Sequence, residues 1–260
     1  KAQTLIDFTV WNDSWNAYLS NYKDYFVLKG GVLIASILGL QQRSTMDLDA
    51  TIQAKPMSAT EVENLIHAVL TVDLADGMHF ILKSTKEIRS LSEYPGIRAQ
   101  LEALLDTMRI PLQIDFSWGD VITPRDIAYS YKLLFEDRSI PLRAYSVETV
   151  LAEKIESILS RDIANSRMRD FYDVYHLSHT DFIAIDDQIL QKAIHNTFKR
   201  RNSSDLLHQP LTSLQRIATD KDLQEMWKKY QKKFEYARKT SWLDTIDAIR
   251  TLLDKMDPKL

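Results

Sequence analysis

A glycine pair sits between two apolar segments of different character: Phe26-Val27-Leu28 precede Gly30-Gly31, and Val32 to Leu38 follow. Sixteen residues past Gly31 come two carboxylates, Asp47 and Asp49, spaced i, i+2. This order constrains the fold to a buried strand, a tight turn, a helix and a second strand. If Asp47 to Ile52 is a strand, its side chains alternate faces, so Asp47 and Asp49 point one way and Leu48 the other. At the glycine turn no Cβ keeps the backbone away from a ligand, and a helix N-terminus attracts phosphate oxygens. Two carboxylates on one face suit a hard divalent cation. Each half also has an ordinary alternative. Gly-Gly serves as plain turn chemistry, and Asp-x-Asp as a solvated strand edge. Only a third carboxylate would decide.

The front of the chain alternates helix-like and strand-like segments. Trp11, Trp15, Tyr18 and Tyr22 recur at three- and four-residue spacing, a helical packing stripe. Ser58-Ala59-Thr60-Glu61 is a capping box opening a helix through Leu70 and Val72. Met78 to Leu82 reads as a strand. Ile97 to Leu105 has high helix propensity, yet its apolar residues alternate with Arg98, Gln100 and Glu102, and the period of two favours a strand. Asp106-Thr107-Met108 is then a turn and Arg109 to Trp118 an antiparallel return strand, with Pro111 near its start where a missing N–H is tolerated.

On that return strand lies Ile114-Asp115-Phe116, a lone carboxylate in an apolar run. Burying an unpartnered charge costs several kcal/mol, so Asp115 is paired, bound to a metal or exposed. It is the third carboxylate the first two require, with a structural salt bridge as its alternative.

Pro124 to Ala144 reads as an irregular connector. Beyond it the pattern is helical: Ser146 caps a helix bearing Val150, Leu151, Ile155, Ile158 and Leu159, a polar break spans 162–166, and Arg167 to Leu177 follows. Further helices are expected over Ile185–Phe198, Asp205–Ala218, Leu223–Arg238 and Leu243–Met256. The expected organisation is an α/β domain over residues 1–145 and a helical domain over 146–260, without repeats.

With 260 residues the chain can bury a substantial core. No apolar run approaches the roughly 20 residues of a membrane span, and Lys1 to Val10 lacks signal-peptide features. A cytoplasmic protein without membrane contact is expected, with Lys1 as a trimmed start. The absence of cysteine removes disulfides, thiolate metal sites and a cysteine nucleophile. The net charge of −3 excludes a globally basic nucleic-acid binder, leaving only local patches. Residues 1–145 carry 14 Lys and Arg against 18 Asp and Glu, and residues 146–260 carry 19 against 18.

Acidic trio, glycine turn and helical second domain together resemble a polymerase-β-like nucleotidyltransferase. In that chemistry paired carboxylates hold divalent metals on a triphosphate and the third supports the metal on the nucleophile side. More narrowly, Gly30-Gly31, Arg43 to Asp49, Leu112 to Asp115, Glu148 to Lys154 and Arg169 to Tyr175 resemble, in order and spacing, the AbiEii family of nucleotidyltransferase toxins. The resemblance implies an α+β fold, with an N-terminal mixed sheet flanked by helices and a C-terminal helical domain. It implies a toxin–antitoxin or abortive-infection role with a separately encoded antitoxin. It also implies NMP transfer from an NTP, with Mg²⁺ or Mn²⁺, to an RNA hydroxyl at a tRNA acceptor end. By position, Asp47, Asp49 and Asp115 match the metal ligands, Gly30 and Gly31 the triphosphate-holding motif, and Lys154 the helical lysine that meets phosphates. Asp170 matches the helical aspartate, with Asp173 as its neighbour, and Arg43 is placed to approach the nucleotide. Val32 departs from the small or hydroxyl residue frequent there, and Lys29 is assigned no role.

These residues keep simpler readings. Lys154 flanks an apolar stripe and could snorkel to water. Asp170 and Asp173 share a helix face, where like charges repel unless a cation or metal joins them, and Asp173 could instead pair with Arg169. Lys199, Arg200, Arg201, Lys228, Lys229, Lys232 and Lys233 could meet polynucleotide phosphates or be solvated helix faces. His176 and His179 lie three apart without zinc-site spacing. Transfer to a protein hydroxyl, or an inactive nucleotide-binding relative that binds a partner, are the competing functions.

Overall fold

The structure, a computed structural model, describes residues 15, 17, 19–39, 42–43, 45, 48–53, 58–73, 77–88, 96–133 and 137–256. The chain divides into two compact units. One comprises Lys1–Leu40, Ser44–Asp120 and Asp126–Tyr145, the other Gln41–Arg43, Val121–Arg125 and Ser146–Leu260.

The first unit holds a seven-stranded mixed sheet built from β1 (Phe26–Lys29), β2 (Leu48–Ile52), β3 (His79–Ile88), β4 (Gly96–Leu105), β5 (Met108–Trp118), β6 (Ile127–Lys132) and β7 (Ser139–Ala144). Their spatial order is β3-β4-β5-β2-β1-β7-β6. β2 runs antiparallel to β1 and parallel to β5, and β1 runs parallel to β7. The α+β class inferred from the sequence is the observed one. Alternation prevails over helix propensity in β4, whose Ile97, Ala99, Leu101 and Ala103 are buried while Arg98, Gln100 and Glu102 face the other way. Asp106, at φ 50°, turns the chain into β5. Helix α1 (Gly30–Leu38) follows β1 directly. Helix α2 (Ala59–Leu70) carries the expected capping box: Glu61 N donates to Ser58 Oγ at 3.2 Å, and Ser58 N to Glu61 Oε2 at 2.7 Å. Such a cap contributes on the order of 1 kcal/mol. Trp11 and Tyr18 of the aromatic stripe lie outside the described residues, whereas Trp15 is buried edge-on against Phe80, ring centroids 5.4 Å apart.

One expectation is overturned. Residues 124–144 are no irregular connector: they supply the β6–β7 hairpin. Pro141, read as a breaker, sits within β7 opposite Ser130 of β6. On its other edge β7 is in register with β1 only at Arg143 and Ala144, so the N–H that proline lacks has no strand to serve.

The second unit is helical: α3 (Val147–Arg161), α4 (Met168–Ser178), α5 (Asp187–Arg200), α6 (Pro210–Thr219), α7 (Lys221–Lys233) and α8 (Trp242–Asp254). Ser146 caps α3, its Oγ accepting from Thr149 N at 3.2 Å. Two expected helices prove shorter. Ser204–His208 forms a separate 3-10 turn, because Pro210 suits the first turn of α6 and cannot continue a helix arriving from before it. Helix α7 stops at Lys233, where Phe234 turns extended (φ −120°, ψ 113°) and packs its ring on Tyr230 and Tyr236. Two indoles buried in this unit are satisfied: Trp227 Nε1 donates to Thr240 O at 3.2 Å and Trp242 Nε1 to Ala218 O at 3.0 Å. No helix among the described residues is long and apolar enough to cross a membrane.

Candidate active site

In the first unit, strand pairing brings two of the three predicted carboxylates together. Asp49 of β2 is in register with Asp115 of its parallel neighbour β5, and with Lys29 of its antiparallel neighbour β1. All three project from one sheet face, while Leu48, Ala50, Ile114 and Phe116 pack on the other. Asp47 lies outside the described residues, within which no three potential ligands converge as a metal cluster.

The glycine turn abuts this face. Gly30 adopts φ +65°, and a Cβ placed there would lie 2.2 Å from Asp49 Oδ2. A Cβ on Gly31 would meet Thr45 Oγ1 at 2.4 Å. Side chains are therefore excluded at both positions, and the start of α1 lies directly against the Asp49 carboxylate. Lys29, the N-cap residue of α1, supplies no side-chain cap.

Arg98, opposite Asp115 in the β4–β5 pairing, grips it through two bonds, Nε to Oδ1 and Nη2 to Oδ2, each 2.8 Å. The salt-bridge alternative for Asp115 is thus real, but it leaves room for a metal. An ionised carboxylate offers about four lone-pair sites, and this guanidinium occupies two.

Lys29, assigned no role from sequence, anchors a buried polar network beside these carboxylates. Asp120 Oδ2 accepts from Lys29 Nζ, Thr51 Oγ1 and Ser117 Oγ, each at 2.6 Å, and from Tyr145 OH at 2.9 Å. Burial opposes the Asp120 charge, but the ammonium and hydroxyls outweigh it and hold the carboxyl far below the usual range. A lysine ending the apolar run Phe26-Val27-Leu28 was the available signal, since such a charge needs a partner.

The second unit assembles the other predicted residues. Lys154 of α3 places Nζ 2.7 Å from Asp170 Oδ1 and 2.8 Å from Asp173 Oδ2, both on α4. Arg43 donates Nε to Asp173 Oδ1 at 2.6 Å and Nη2 to Oδ2 at 3.2 Å. A cation therefore does join the two carboxylates, and Asp173 pairs with Arg43 and Lys154 while Arg169 lies over the Phe234 ring. Asp173 is fully buried. Burial disfavours each charge, yet the opposite charges prevail, raising the pKa of Lys154 and lowering that of Asp173. Two of the three ammonium donors of Lys154 are engaged. Tyr172 closes the cluster, its OH donating to Gln42 O at 2.5 Å.

The two basic groups differ. Arg201 is committed to Glu156 at 2.6 Å and Glu153 at 3.0 Å. Lys229 and Lys232 are exposed and make no ion pair among the described residues, whereas Lys228 lies 3.6 Å from Glu225.

Comparison with known proteins follows the same lines. A match to a candidate nucleotidyltransferase from H. pylori covers 95% of this chain and 96% of that one, with TM-score 0.50 and 15% identity, a likeness of fold. JHP933 from Helicobacter pylori gives TM-score 0.48 at 15% identity over 98% of this chain and 91% of that one. No curated protein matches. The family model described as nucleotidyl transferase AbiEii toxin, Type IV TA system, matches residues 15–255. With nearly its whole length spanned by that model, the chain belongs to the AbiEii family of nucleotidyltransferase toxins.

Proposed function

We propose that this nucleotidyltransferase moves an NMP from an NTP to an RNA hydroxyl, a tRNA acceptor end, through a divalent-metal site built on Asp49 and Asp115 with Asp47. One observation carries this reading: Asp49 and Asp115 share a register and a sheet face, and the glycine turn lies against Asp49 with no space for a side chain. The donor set fits Mg²⁺ or Mn²⁺, since it offers hard carboxylate oxygens beside a backbone that can approach phosphate. When bound, such an ion polarises phosphoryl oxygens and neutralises the leaving pyrophosphate. The chain's own residues hold and orient. Arg98 fixes the plane of Asp115, Gly30 and Gly31 admit the triphosphate to the start of α1, and the Lys29–Asp120 pair braces β1 against β5. We assign this chemistry to residues 1–145 and place the helical domain over 146–260. There Lys154, Asp170 and Asp173 form the helical motif set, joined by Arg43 through Asp173, and Lys154 has one donor left for a phosphate. Membership in a Type IV toxin–antitoxin family implies an antitoxin partner. We further take the protein to arrest growth from the cytoplasm.

The test is incubation with each α-labelled NTP, Mg²⁺ and total RNA. Labelled RNA and released pyrophosphate are expected, with Asp49→Asn reducing transfer at least about 100-fold, the scale of losing a transition-state contact. Calorimetry with Mn²⁺ supplies a readout apart from turnover: Asp49→Asn should lose the heat of binding. Label only on RNase-resistant protein bands, or an Asp49→Asn enzyme as active as wild type, would overturn the assignment.

A further inference from the structure

At the end of α7 the helical unit presents an aromatic and basic surface outside the carboxylate site. Phe234 stacks on Tyr236, ring centroids 5.3 Å apart and planes at 27°, and lies 4.8 Å from Tyr230. Tyr236 is supported in turn by Tyr172 at 4.9 Å and by a 3.1 Å bond to the Tyr230 hydroxyl. Phe234 and Tyr236 are half-buried, so this cluster packs inward on one side and reaches solvent on the other. Arg169 and Lys233 hold their charges 5.5 and 5.4 Å from the Phe234 ring centre. In the flanking sequence Lys229, Lys232 and Lys239 are exposed and make no ion pair among the described residues.

In a chain of net charge −3, three exposed cations without ion pairs beside a supported aromatic face call for a polyanion that also carries flat rings. An acidic peptide would satisfy the lysines but leave the ring unused. The other basic group lacks the aromatic face: Phe198, the aromatic residue of that helix end, is fully buried, and Arg201 is held by Glu153 and Glu156. We propose that this surface binds a single-stranded nucleic-acid segment, one base stacking at Phe234 and neighbouring phosphates lying on Lys229, Lys232 and Lys239. It deepens the nucleotidyl-transfer reading by giving the acceptor strand a seat, with Arg169 adjacent in sequence to Asp170.

The experiment is fluorescence anisotropy of a labelled 12-nucleotide RNA on the full chain, without NTP or metal, against the same sequence as duplex RNA and as single-stranded DNA. Single strands should bind more tightly than duplex, RNA and DNA arms distinguishing a role for the 2′-hydroxyl. Phe234→Leu should weaken binding about tenfold, the scale of one base–aromatic stack. Because Phe234 also packs inward, its melting temperature is compared with wild type. The Lys229→Ala/Lys232→Ala/Lys239→Ala variant, which removes no packing, must show a comparable loss. Unchanged binding in that triple variant, a larger loss in Lys199→Ala/Arg200→Ala, equal affinity for duplex, or displacement by polyglutamate as effective as by RNA would each overturn the proposal. Failure of the transfer reading is separable: no transfer to any acceptor, with single-strand binding intact, removes the enzyme reading and leaves this surface standing.

Discussion

Gly30 and Gly39 both occupy positive φ, +65° and +88°, but only Gly30 is pressed against a carboxylate, since nothing lies within 4 Å of a Cβ on Gly39. Alanine at either position must bear a left-handed conformation, about 1–2 kcal/mol. At Gly30 it must also displace Asp49. Urea unfolding is therefore expected to show similar strain for Gly39→Ala and more for Gly30→Ala, while Mn²⁺ calorimetry and nucleotide transfer fail only in Gly30→Ala. Equal transfer by the two variants would show that the turn does not shape the site. The glycine pair was legible in the sequence because a turn is local. Arg98 and the Lys29–Asp120 pair were not, since their partners stand on other strands and pairing order is not written in any single segment.

Among the elements, the contact of α3 with α4 centres on a buried quartet, Lys154, Asp170, Asp173 and Arg43. Asp173→Asn leaves two buried cations short of charge and is expected to cost about 3–5 kcal/mol in urea unfolding, with Arg43→Met on that background recovering part of it. Acid acts here through two separate windows. The lowered pKa of Asp173 contributes stability above its ordinary value of about 3.8 that is lost only below it. His176 is different: burial, opposed by Asp173 and aided by His179, brings its pKa from 6.5 to about 4. Between those values the unfolded chain takes up a proton that the folded chain does not, so stability declines as pH falls from about 6.5 towards 4. Unfolding at pH 7 and pH 5 should show this loss in wild type and a smaller one in His176→Gln; equal losses would assign it elsewhere. The helix pair was readable from apolar spacing and from the Ser146 cap. The β6–β7 hairpin was not, because Pro141 breaks a strand only where both edges are paired, and that depends on how far β1 extends.

For the molecule as a whole, alternation of strand-like and helix-like segments followed by helices alone was enough to separate an α/β front from a helical back, and the α+β class came with the family resemblance. The order β3-β4-β5-β2-β1-β7-β6 was beyond it, since the parallel β2–β5 and β1–β7 pairs join segments separated by long stretches of chain. Charge also acts at this scale. With a net −3, the protein as a whole gives no attraction to a polyanion, so any nucleic-acid affinity has to arise from one face. Counterion release then ties the salt dependence to the number of phosphates that face meets. For single strands log K changes with log salt by about −0.7 per phosphate neutralised. Lys229, Lys232 and Lys239 together imply a slope of about −2, and each Lys→Ala change should flatten it by about 0.7. Titrations between 50 and 300 mM salt measure this directly. A slope steeper than about −6 would require a basic surface larger than the end of α7 and α4 provides, and a slope indifferent to these lysines would place the strand on another face.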